Sequence, residues 1–162
     1  MSQAVTPINA YNNTQNFYPS NDKWEYKLLP IAASVAIDDG SLIAVQIVSN
    51  TTTGNYTKMG VENAAGADFT GILAQKIAST DSDYATAGKL KGVWVPVCES
   101  AEAYFKVGAG TFTAADVGKT VEIHSDSKSL AVDTAGKGAR IASYISSTRG
   151  TCVFTLPTTE TA

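Results

Sequence analysis

The apolar positions of this chain fall in short runs, most of them closed by glycine, asparagine or aspartate. Val35-Ala36-Ile37 leads into Asp38-Asp39-Gly40, a tight-turn sequence. Leu42-Ile43-Ala44-Val45-Gln46-Ile47-Val48 is almost continuously apolar, the pattern of a strand covered on both faces or set at a barrel seam. Asn50 to Asn55 reads as a polar loop, Tyr56-Thr57-Lys58-Met59 as resumed pairing, and Val61 to Asp68 as a small-residue connection. Phe69 to Ile77 predicts a strand in which Gly71 marks a bulge or the close approach of another backbone.

The second half repeats the pattern. Ala85 to Lys89 is turn-like, and Leu90 to Val97 predicts a strand whose Pro96, unable to donate, belongs at an edge or an end. Ala103 to Val107 is another strand, stopped by Gly108-Ala109-Gly110. Thr113 to Lys119 is the one helical turn: Thr113 caps it with Asp116 three residues on, and Gly118 ends it. Thr120 to His124, Leu130 to Val132, Arg140 to Ser146 and Thr151 to Leu156 complete the strands, the last two as a hairpin. About nine strands at roughly 8–12-residue spacing predict an all-β barrel or sandwich with one short helical turn.

The first 26 residues depart from this pattern. No charged side chain precedes Asp22, yet five of the fourteen aromatics lie here. A solvated tail is rich in charge and poor in aromatics. The division expected is an extended N-terminal arm over 1–26 and a β-barrel or sandwich domain over 27–162. Val5, Ile8, Tyr11, Phe17, Tyr18, Trp24 and Tyr26 are the arm's candidate partner-binding side chains. Burying seven side chains does not offset the entropy of ordering so long a segment, so the arm needs backbone pairing with a sheet edge or is ordered over only part of its length. Two outcomes stay open: the arm reaches another subunit, or residues 17–26 form a first strand or loop on the parent domain while 1–16 are disordered.

Composition then removes function classes. The 162 residues are 44% hydrophobic, enough for a core, and only 17% charged, with a net charge of −3. Nucleic-acid binding needs clustered Lys and Arg, which that balance does not supply. The single histidine, His124, and the widely separated Cys98 and Cys152 argue against a zinc site or a histidine triad. Both cysteines read as reduced core residues in strands, with a disulfide as the alternative. Asp38-Asp39 reads as a turn and Asp81-Ser82-Asp83 as a solvated loop. Gly108-x-Gly110 and Gly136-Lys137-Gly138 lack the spacing of nucleotide loops. His124 and Ser125 point to opposite faces of a strand and cannot form a nucleophile–base pair. No catalytic, cofactor-binding or metal-ligating residue is predicted, and no enzymatic activity. Nor is a membrane partner, since no apolar run reaches the ~18 residues of a membrane span. The N-terminus has neither the basic start nor the apolar centre of a signal peptide, so the expected site of synthesis and maturation is a reducing cytoplasm.

From about Leu29 to Leu156 the order of motifs resembles a bacteriophage head decoration (capsid cement) protein of the small β-rich kind. The resembling stretches are Asp39 to Val45, Phe69-Thr70-Gly71-Ile72-Leu73, Tyr84 to Lys89, Asp116-Val117-Gly118-Lys119-Thr120-Val121 and Leu130 to Thr134. The resemblance implies a β-tulip-like body. It also implies a non-enzymatic late protein of the capsid exterior, made in the host cytoplasm. Such a protein bridges neighbouring major capsid subunits, its N-terminal segment adds to a capsid-protein sheet, and a homotrimer is expected over a monomer or dimer. The alternative is another virion structural component: a head–tail joining or tail protein, or a host-binding head fibre.

Overall fold

A computed structural model describes residues 16–49, 51–59 and 69–156. The chain is all-β. The strands are β1 (Tyr18–Pro19), β2 (Trp24–Ile31), β3 (Leu42–Val48), β4 (Thr51–Lys58), β5 (Gly71–Leu73), β6 (Lys89–Pro96), β7 (Glu102–Ala109), β8 (Thr120–Ile123), β9 (Leu130–Ala135), β10 (Ala139–Ser146) and β11 (Arg149–Phe154). Among the described residues the one helical element is a 3-10 turn, Ala114–Asp116. It carries the expected capping box: the Thr113 hydroxyl accepts from Ala115 N, and the Asp116 carboxylate accepts from Thr113 N.

The strands form two sheets. One is a small closed barrel in the order β2-β4-β3-β5-β6, joined between β2 and β4 by a single parallel pair, Ile31↔Tyr56. The other runs β1-β7-β11-β10-β8-β9, and a parallel pairing of β7 with β9 curls its far end back. Strand alternation sorts the barrel's apolar side chains into two cores. Ile31, Ile43, Leu73 and Val93 point inward with Ile37 and Ile77. Trp24, Leu42, Ala44 and Ile72 point outward against Phe105, Ile123, Leu130, Ile141 and Phe154 of the second sheet. That is why Leu42, Ile43 and Ala44 are all buried.

Several sequence expectations change here. Leu42 to Val48 is covered on both faces only as far as Ala44. Beyond it the β3–β4 hairpin leaves the barrel, and Val45, Ile47 and Val48 are exposed. Thr51 to Asn55, expected in a polar loop, is the first half of β4, its Thr53 hydroxyl donating to Gln46 O at 3.3 Å. Val35 to Ile37 contributes a single bridge, Ile37↔Ile77, not a strand. The connection Val61 to Asp68 lies outside the described residues. Gly71 meets its expectation of close approach: a Cβ there would sit 2.5 Å from the Trp94 carbonyl oxygen.

Candidate interaction surface

The N-terminal segment is built onto the body from Asn16 onward. Asn16 Nδ2 donates to Asp39 O at 2.9 Å, and Phe17 N to Gly40 O at 3.2 Å. Gly40 is held at φ +81 with Asn16 packed against it, a position that admits no Cβ. Tyr18 and Pro19 pair with Tyr104 and Ala103 of β7. Asn21 then ties the chain down with its amide: Nδ2 donates to Ser100 O, and Oδ1 accepts from Lys23 N and Glu102 N. Glu102 O also accepts from Ser20 N and Trp24 Nε1.

Of the seven arm side chains singled out, Phe17 and Trp24 belong to the core of this chain. Phe17 is fully buried, edge-on to Phe154 at 5.1 Å, and Trp24 packs edge-on to Phe69 and Phe154. As candidate partner contacts these two are corrected, because their rings are already enclosed. Tyr18 is half-buried in β1, and Tyr26 is 52% exposed. Val5, Ile8 and Tyr11 lie outside the described residues. The boundary expected between 26 and 27 falls inside β2.

Tyr26 lies in an apolar strip on the outer face of β2 and β6. The register sets Tyr26 opposite Trp94, Leu28 opposite Gly92 and Pro30 opposite Leu90, and directly opposed residues share a face. Tyr26 crosses Trp94 edge-on at 5.1 Å, its ring lying over Gly92, where a Cβ would collide with it. The second sheet covers Trp24 but not Tyr26, Leu28 (56% exposed) and Leu90 (58%). The division expected between 26 and 27 separated these side chains into arm and body. The alternation Trp24, Tyr26, Leu28, Pro30 held the signal that these residues share one face, with Glu25 and Lys27 on the other.

Several charges on the body are paired. Lys128 Nζ donates to Asp38 at 2.8 Å across the two sheets and holds that carboxyl below its usual range. Both line a groove of about 250 Å3 with Ala36, Ser41, Lys58 and Asp126. Inside one end of the barrel, Lys89 Nζ donates to Ala32 O and Tyr84 O, and Lys91 pairs with Asp83 at 3.0 Å.

The cysteines separate. Cys152 is buried in β11, and burial pushes its thiol well up. Cys98, expected in the core, is exposed, because β6 ends at Pro96 and the chain turns into solvent there. A hydrogen bond with Ser100 lowers its thiol. His124 follows the last residue of β8, as a strand-end residue should. Among the described residues no group of three or more His, Cys, Asp or Glu is placed to hold a metal ion, and no helix is long and apolar enough to cross a membrane.

No protein-family model matches this sequence, and no curated protein or solved structure is significantly similar to it.

Proposed function

We propose that this chain is a non-enzymatic virion protein that binds the outer surface of an assembled phage capsid and bridges neighbouring major capsid subunits. Residues 1–15 make the capsid contact by adding to a capsid-protein sheet edge. The observation that carries this reading is the composition of the N-terminal segment: no charged side chain precedes Asp22, yet Val5, Ile8 and Tyr11 lie within the first fifteen residues. From Asn16 to Trp24 the chain is stitched to its own body. An uncharged segment that carries apolar and aromatic side chains suits a role that is completed on a partner, where interface cores lose charge and keep aromatic side chains. The motif order gives further support. Leu42 to Val45 opens β3, Gly71-Ile72-Leu73 is β5, Gly118-Lys119 precedes β8, and Leu130 to Thr134 is β9. Many copies on one particle make a small contact sufficient.

The test is co-sedimentation with expanded, undecorated capsids assembled from the major capsid protein of the phage that encodes this chain. Full-length protein is expected to pellet with the capsids and the 16–162 fragment to remain in the supernatant. Equal binding by the fragment would remove the arm from the mechanism, and no binding by either would remove decoration.

A further inference from the structure

We infer that β2 is a self-complementary edge through which two copies of this chain pair antiparallel about a two-fold axis, Tyr26 of one opposite Tyr26 of the other. This contact goes beyond the capsid contact proposed for residues 1–15 and does not depend on it.

The backbone directions follow from the hydrogen bonds at the two ends of the strand. The carbonyls of Lys23 and Ile31 accept from Val97 N and Gly88 N, so the odd-numbered residues turn their polar groups toward β6. Even-numbered residues turn theirs the other way, as Ala32 N does in donating to Tyr56 O. On that side β2 meets β4 only at Ile31↔Tyr56. From Trp24 to Leu28, therefore, no described strand takes the outward N–H and C=O groups of residues 24, 26 and 28. Glu25, Tyr26, Lys27 and Leu28 are exposed in succession, on both faces, as in a strand with an open side. Such an edge is a template for another strand.

The sequence of the edge, Trp24-Glu25-Tyr26-Lys27-Leu28, selects its partner. Antiparallel strands exchange two hydrogen bonds between opposed residues whose polar groups face each other, so even residues must meet even ones. With Tyr26 opposite Tyr26, Trp24 meets Leu28 and Leu28 meets Trp24, and every outward group between them is paired. The ladder then stops before Pro30, which has no N–H to contribute. On the opposite face Glu25 of each copy meets Lys27 of the other, at the closely spaced positions where opposite charges stabilise and like charges destabilise. Sliding one strand by two residues in either direction puts Glu25 opposite Glu25 or Lys27 opposite Lys27. The charges thus admit one register and reject its neighbours. The same pairing covers Tyr26 and Leu28, which the second sheet leaves bare.

Sedimentation velocity of the full chain, at low salt over a concentration series and without capsids, reads this contact alone. The wild type is expected to reach twice the mass of a Leu28→Pro variant, since proline at 28 removes an outward N–H and leaves the β6 ladder intact. Glu25→Lys and Lys27→Glu are each expected to halve the mass. Mixed in equal amounts they are expected to recover it, an all-basic edge meeting an all-acidic one. A Leu28→Pro variant as heavy as the wild type overturns the edge contact. A mixture that stays at the lower mass overturns the register.

Discussion

Phe17 anchors the N-terminal segment in the core of the body. Its ring is fully buried and belongs to an aromatic cluster with Trp24, Phe69 and Phe154, the last two stacked at 4.4 Å. Replacing a buried Phe by Ala removes the transfer energy and leaves a cavity, a cost of about 3–5 kcal/mol. For a chain of this size each kcal/mol moves Tm by about 2–4 °C, so Phe17→Ala is expected to lower it by roughly 6–20 °C. Tyr26→Ala removes an exposed ring with one edge-on partner and is expected to cost only about 1 kcal/mol. Removal of residues 1–15 is expected to leave Tm unchanged, whereas removal of 1–20 takes out Phe17 and β1 together. Far-UV circular dichroism melts of the four proteins give the comparison. Phe17→Ala melting with the wild type, or loss of the fold on removing 1–15 alone, would refute Phe17 as the anchor of the segment.

Gly71→Ala forces a Cβ against the Trp94 carbonyl, a backbone atom that cannot swing away, and is expected to cost about 1–3 kcal/mol in urea unfolding. The atoms nearest a Cβ at Gly92 belong to the Tyr26 side chain, which can rotate into solvent, so the urea midpoint of Gly92→Ala is expected to stay near that of the wild type. Asp38 has its folded pKa lowered by Lys128, so its contribution is present above the unfolded value of 3.8 and lost as pH falls through the lower folded one. Asp38→Asn is therefore expected to flatten the acid limb of a stability–pH curve, and an unchanged limb would show that the pair contributes nothing. A thiol reagent is expected to titrate Cys98 alone in the native protein and both cysteines in denaturant, and two fast native thiols would contradict the burial of Cys152.

Most of the architecture was legible because strand signals are local. The runs at Leu42, Leu90, Thr120 and Arg140, the Thr113–Asp116 capping box and the Asp38-Asp39-Gly40 turn each depend on residues within a few positions of one another. What misled was set by tertiary surroundings. An apolar run does not say how far the covering sheet extends, so Val45, Ile47 and Val48 looked covered and stand exposed. The converse error concerned Phe17 and Trp24. An uncharged, irregular stretch carries no mark of where it stops lying on its own domain. That boundary depends on Asn21 reaching Ser100 and Glu102, about eighty positions away in sequence. The open edge of β2 was half-legible: alternation gave its two faces, but only the pairing with β6 shows which backbone groups remain outward.

The most direct test of capsid decoration is a cryo-electron microscopy map of expanded capsids incubated with the full-length chain. Decoration through the arm predicts added density of this β body on the outer shell at repeated symmetry positions, with an extra strand continuing a capsid-protein sheet. Bare shells, or density confined to the portal vertex, would contradict it.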